Sequence, residues 1–121
     1  MKQCLVVDDS VVIRKVARRI LQRLNFETIE AENGQEALER CQSEMPDAIL
    51  LDWHMPVANG HDFLNGLKSQ TSGPRPIVFY CTTENDPIDI SRALSAGAHD
   101  YILKPFDRES IEAKLAEHGL V

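Results

Sequence analysis

LLDWHMP, Leu50 to Pro56, is the stretch on which the fold turns. An apolar run, Ala48 to Leu51, stops abruptly at the carboxylate of Asp52. CLVVDDS, Cys4 to Ser10, repeats the pattern and stops at two carboxylates, Asp8 and Asp9. Short apolar runs closed by polar residues read as strands buried on both faces of a sheet. The acids then mark the points where the chain leaves the core.

Working outward from these runs, strand and helix patterns alternate. Cys4–Asp8 is the first strand. Ser10 can cap a helix running to about Leu24, with Ile13, Val16, Ala17, Ile20, Leu21 and Leu24 recurring at spacings of three and four. Its other side carries Arg14, Lys15, Arg18, Arg19 and Arg23. Phe26–Ala31 alternates as a half-buried strand, and Asn33-Gly34 leads into a helix from Gln35 to about Glu44. Asp47–Asp52 is a central strand. A helix follows Gly60 with Phe63, Leu64 and Leu67 facing inward. Ser69 to Pro76, SQTSGPRP, reads as a connection between elements. Ile77–Thr82 is a strand rich in β-branched and aromatic residues. Pro87 suits the first turn of a helix ending near Ala96, with Gly97 just past it. Tyr101–Leu103 is a fifth strand, and Asp107 can cap a last helix from Arg108 to about His118. Five strand–helix units of this kind imply an α/β fold, a doubly wound parallel sheet with helices on both faces.

Asp8 and Asp9 close strand one, Asp52 strand three, Thr82 strand four, and Lys104 follows strand five. All five polar groups therefore emerge at one sheet edge, where such folds bind ligands. Clustered carboxylates repel one another, and a hard divalent cation relieves the repulsion. Mg²⁺ suits the case, because it binds through one or two carboxylates and leaves room for phosphate oxygens. The Lys104 ammonium and the Thr82 hydroxyl suit phosphoryl oxygens. A carboxylate held there can form an aspartyl-phosphate. Asp52 is the candidate nucleophile, since an acid on the central strand can face both the metal and the lysine.

The chain has 121 residues, which predicts a single domain over 1–121. Its hydrophobic content of 43% and charged content of 26% are those of an ordinary globular protein. A net charge of −6 argues against a general nucleic-acid partner. The three cysteines, Cys4, Cys41 and Cys81, lack a CxxC spacing and suit free thiols in a reducing, cytoplasmic setting. The apolar run after Met1 and Lys2 is too short for a signal peptide, and no window is long enough to enter a membrane.

Taken together, Asp8-Asp9, Asp52 within DWHMP, Gly60, Thr82, Ala96-Gly97-Ala98 and Lys104-Pro105-Phe106 resemble the receiver domain of two-component response regulators. The type is that of the stand-alone, CheY-like chemotaxis regulators. The resemblance runs from Cys4 to about Leu115. Thr82 follows Asp52 by 30 residues and Lys104 follows Thr82 by 22, which also fits the family. The resemblance implies a flavodoxin-like (βα)5 sheet in the order 2-1-3-4-5. It implies that Asp52 accepts a phosphoryl group from a histidine kinase or a histidine phosphotransfer protein. Asp9 and Asp52 would bind Mg²⁺ directly and Asp8 through water, with the backbone carbonyl of His54 as a further ligand. Lys104 would contact the phosphoryl oxygens, Thr82 would move to hydrogen-bond them, and Tyr101 would turn inward with it. A cis Lys104-Pro105 bond is implied too. The output would be binding of a downstream target through the face of helix four, strand five and helix five. Such a protein is a signalling phosphoacceptor, with only self-catalysed phosphotransfer and dephosphorylation. Thr83 departs from the small residue frequent after the switch threonine. His54 and Glu84 occupy variable, rate-tuning positions.

Other readings were open at this level. Asp8-Asp9 alone also suits a helix N-terminus that favours negative charge. A Mg²⁺-dependent phosphohydrolase of the haloacid-dehalogenase kind wants an acid where His54 stands. A flavodoxin-like cofactor carrier wants a Ser/Thr/Gly-rich first loop where DDSVVIRK stands. A phosphorylation-independent binding module would have no use for the acid–Thr–Lys set. His61, His99 and His118 show no ligand spacing, and Trp53 reads as packing near the site. The cationic side of helix one serves equally as a solvated face or as a dock for an acidic phosphodonor.

Overall fold

The computed structural model describes residues 1–52, 60–70, 75–83 and 87–121. Five strands and five helices alternate: β1 Gln3–Val7, α1 Val11–Arg23, β2 Glu27–Ala31, α2 Gly34–Ser43, β3 Ala48–Asp52, α3 Gly60–Gln70, β4 Ile77–Thr82, α4 Pro87–Ala96, β5 Asp100–Leu103 and α5 Arg108–Glu117. All strand pairings are parallel, in the order β2-β1-β3-β4-β5. Every element expected from the sequence is present, with ends displaced by a residue or two.

The strands β1 and β3 are buried along their full length. Alternate residues serve opposite faces. Leu5, Val7, Ile49, Leu51, Val78 and Tyr80 pack with α2, α3 and α4 residues such as Ala37, Phe63, Leu67 and Ala93. Cys4, Val6, Ala48, Leu50, Phe79, Cys81 and Ile102 pack with Ala17 and Leu21 of α1 and Ile111 and Leu115 of α5. Two apolar layers thus clamp the sheet, and hydrophobic burial on both sides is its main support.

Local signals set the helix starts. The Ser10 side chain accepts from the Ile13 N–H at 3.3 Å, and Asn33 accepts from Glu36 at 2.9 Å. Asp107 and Ser110 form a reciprocal capping box at α5. One assignment differs from expectation: Val16 of α1 is exposed rather than packed. It sits on the rim of the apolar stripe, and a helix covering one sheet face buries only the centre of that stripe. All three cysteines are buried free thiols. Desolvation raises the Cys4 thiol to about 12 and Cys41 to about 11, so they act as packing residues and not as nucleophiles.

The α4 helix ends where Gly97 takes a φ of +126°, with its N–H bonded to Leu94 and that of Ala98 bonded to Ala93. This backbone region is closed to residues with a Cβ, and a Cβ at Gly97 would also lie 3.2 Å from the Lys68 side chain. Gly97→Ala is expected to lower unfolding free energy by about 1–3 kcal/mol in a urea titration.

Candidate functional site

Strand register builds the site. Val7 pairs with Leu51, so Asp8 and Asp52 reach the carboxyl edge side by side. Thr82 pairs with Leu103, so Lys104 follows directly beyond Thr82, and its N–H donates to the Thr82 carbonyl at 2.8 Å. One carboxylate oxygen from each of Asp8, Asp9 and Asp52 lies within 4.8 Å of the others. Asp8 is 3% exposed and Asp52 8%, whereas Asp9 is open to solvent.

Lys104 closes the cluster. Its Nζ donates to Asp8 Oδ2 at 2.8 Å and lies 3.4 Å from Asp52 Oδ1. Burial pulls the Lys104 pKa down, but the hydrogen bond it donates to Asp8 and the charges of Asp52 and Asp8 outweigh it and raise the pKa. The lysine is therefore a fixed cation at neutral pH. The remaining polar atoms of Asp8 are also held. Its N–H reaches the Ala31 carbonyl at 3.1 Å, Oδ1 accepts from the Ser10 N–H at 2.9 Å, and its carbonyl accepts from Arg14 Nη1 at 2.6 Å.

The donor set is all oxygen, anionic and partly open through Asp9. That chemistry fits a hard divalent cation such as Mg²⁺ and does not fit a soft metal. Thr82 is buried at the end of β4, and Thr83 beside it is exposed. The structure thus gathers Asp8, Asp9, Asp52 and Lys104 and places Thr82 on the adjoining strand end. Tyr101 lies apart, half-buried on β5 opposite Tyr80, and packs against the α4 side of the core. Trp53, His54 and Glu84, and residues 71–74 of the Ser69–Pro76 connection, lie outside the described residues. The Lys104-Pro105 bond is cis.

Sequence reasoning missed two charged networks. On α1, Arg14 and Arg18 both pair with Glu30 of β2, each at 3.2 Å, and Arg14 is the more deeply covered of the two. The signal was Glu30, an acid on a strand that sits next to β1. On β5, Asp100 accepts from Lys114 Nζ at 3.0 Å and lies 3.0 Å from His118 Nε2. The Lys114 Nζ also stands 4.3 Å over the Tyr101 ring, a cation–π contact. His118, which the sequence left without a role, packs edge-on against Phe79 at 5.2 Å.

Residues 4–116 match the response regulator receiver domain, and the chain belongs to that family. It is a CheY-like receiver. It is 36% identical over 113 residues to the chemotaxis protein CheY1 of Helicobacter pylori strain 26695, covering 92% of this chain and 91% of that one. The structure of Vibrio cholerae chemotaxis protein CheY4 superposes with a TM-score of 0.90 at 32% identity, covering 97% of this chain and 98% of that one. The receiver domain of the sensor histidine kinase PA1611 of Pseudomonas aeruginosa, solved with a magnesium ion in its active-site cleft, superposes with a TM-score of 0.86. Its identity is 28%, over 96% of this chain and 95% of that one.

Burial raises the Asp100 pKa, but the hydrogen bonds from His118 and Lys114 and that from the Tyr101 N–H more than offset this and lower it. A depressed carboxylate contributes stability above its unfolded pKa and loses it as pH falls through the folded value. Asp100→Asn is therefore expected to be less stable than the wild type at neutral pH. The gap should close below about pH 4 in paired thermal melts.

Proposed function

We propose that this chain is a Mg²⁺-dependent phosphoacceptor that takes a phosphoryl group onto Asp52 from a histidine kinase or a histidine phosphotransfer protein. The observation that carries this reading is the meeting of three carboxylates with the half-buried Lys104 ammonium at the carboxyl edge of the sheet. Asp9 and Asp52 would hold the ion directly and Asp8 through water, with the His54 carbonyl as a further ligand. Bound there, the ion neutralises the carboxylates and screens the charge of an incoming phosphoryl group. The magnesium in the PA1611 receiver domain supports this assignment.

In the transfer, a carboxylate oxygen of Asp52 bonds to phosphorus as the phosphorus–nitrogen bond of a phosphohistidine breaks. The imidazole leaves and takes up a proton from solvent. Lys104, already 3.4 Å from Asp52, meets a phosphoryl oxygen, and the Thr82 hydroxyl donates to another. Hydrolysis of the acyl phosphate resets the site, so the chain acts as a self-limiting switch and not as a turnover enzyme.

The added charge of about −1.5 to −2 then biases a two-state element. Thr82 is drawn toward the phosphoryl group, and Tyr101 turns inward behind it. The face of α4, β5 and α5 would present the change to a downstream target protein. Ile88, Leu94 and Leu103 are exposed apolar side chains on those elements, which supports a protein partner there. Three free buried cysteines support a reducing, cytoplasmic setting. Among the described residues, no helix is long and apolar enough to cross a membrane.

Intact mass after incubation with acetyl phosphate tests the reading. One added phosphoryl group is expected with Mg²⁺, none with EDTA and none on Asp52→Asn. Failure both with acetyl phosphate and with a phosphorylated histidine phosphotransfer domain would instead favour a phosphorylation-independent binding module. Asp9→Asn removes one of three repelling charges. It is expected to melt at or slightly above the wild-type temperature in EDTA and to lose most of the rise that Mg²⁺ gives the wild type.

A further inference from the structure

Asp9 makes no hydrogen bond or ion pair among the described residues, although its neighbour Asp8 is held at four polar atoms. The position of the Asp9 carboxylate is thus set by the backbone that carries it. That backbone is held on both sides: the Ser10 N–H donates to Asp8 Oδ1 at 2.9 Å, and on the other side stands the Asp8 carbonyl, one end of the Asp8–Asp9 peptide plane. That carbonyl is gripped at 2.6 Å by Arg14 Nη1.

Arg14 is itself tightly placed. Its side chain is only 13% exposed, and its Nε lies 3.2 Å from Glu30 Oε1. The other Glu30 oxygen is shared with Arg18 at 3.2 Å. A chain of contacts therefore runs from α1 through β2 to the peptide that presents Asp9. A guanidinium held in this way has little freedom to re-aim, because its planar fork is already committed to two partners.

We propose that Arg14 is a positioning residue of the metal centre, and that by fixing the Asp8–Asp9 peptide it makes the site select Mg²⁺ over Ca²⁺. The proposal rests on the Mg²⁺ reading given above. Mg²⁺ demands near-ideal octahedral geometry with short bonds, whereas Ca²⁺ accepts longer bonds and irregular coordination. A loosened Asp9 therefore penalises Mg²⁺ far more than Ca²⁺. The competing account treats Arg14 as a strap between α1 and β2 through Glu30. That account predicts lost stability but an unchanged ratio of the two affinities.

The test is calorimetric titration of the full chain with Mg²⁺ and with Ca²⁺ at fixed ionic strength, on wild type, Arg14→Ala, Arg14→Lys and Glu30→Gln. Arg14→Ala is expected to weaken Mg²⁺ about tenfold, the scale on which partners of metal ligands act, and Ca²⁺ by about twofold or less. Arg14→Lys keeps a cation able to donate to the Asp8 carbonyl but lacks the fork that holds Glu30 as well, and should recover only part of the Mg²⁺ affinity. Glu30→Gln keeps Arg14 but loosens its aim and should fall between wild type and Arg14→Ala. Should Arg14→Ala not fold, the other two variants carry the same comparison. Equal weakening of both ions, or no change in a folded variant, overturns the proposal and leaves the metal site standing. A wild type that binds neither ion overturns the metal reading and this inference with it.

Discussion

The hydrogen bond from Lys104 to Asp8, 2.8 Å long, joins residues 96 apart in the chain. The candidate site depends on it. Without a cation among them, Asp8, Asp9 and Asp52 would be three acids crowded at the end of a water-free sheet, two of them buried. Removing one partner of a buried pair leaves a charge that neither solvent nor protein compensates. The lysine relieves this repulsion. In the proposed function it would also meet a phosphoryl oxygen on Asp52.

That geometry follows from strand order. With β1 and β3 adjacent at the sheet centre, acids that follow their last apolar residues leave the sheet together. With β4 and β5 next in order, Thr82 and Lys104 arrive on the same edge. The two apolar layers that clamp the sheet hold this alignment, because a one-residue slip of any strand would exchange its faces. Core packing and site geometry are in this sense one constraint.

Much of this was legible in the sequence because strand interiors and helix caps are local signals. Ile77–Thr82, Pro87–Ala96 and the Ser10 and Asp107 caps needed only periodicity and capping chemistry. The cluster of Asp8, Asp9, Asp52 and Lys104 followed because each residue sits at a strand end, and a parallel sheet puts all such ends on one edge. Arg14 was not legible. Its role depends on a partner acid sixteen positions away, on a strand whose neighbour is fixed by topology and not by any local pattern. The Asp100–Lys114–His118 network was hidden for the same reason. Nothing local says that the last turns of α5 lie against the start of β5, or that Lys114 crosses the Tyr101 ring. Val16 shows the converse error, where periodicity marks a stripe wider than the sheet covers.

The distribution of burial also sets which strands are costly to move. β1 and β3 are closed along their whole length, so moving them would open both cores at once. β5 is different: four residues long, at the sheet edge, with only Ile102 fully buried. Tyr101 is half-buried there, and its ring is held partly by a cation that Asp100 also holds. Displacing such a ring gives up a contact of about 0.5–2 kcal/mol, so β5 is where the phosphoryl charge of the proposed function would act at least cost. The acids lie at the centre of the sheet and this aromatic at its rim. The backbone hydrogen bond from Lys104 to Thr82 joins the two regions across the last strand pair.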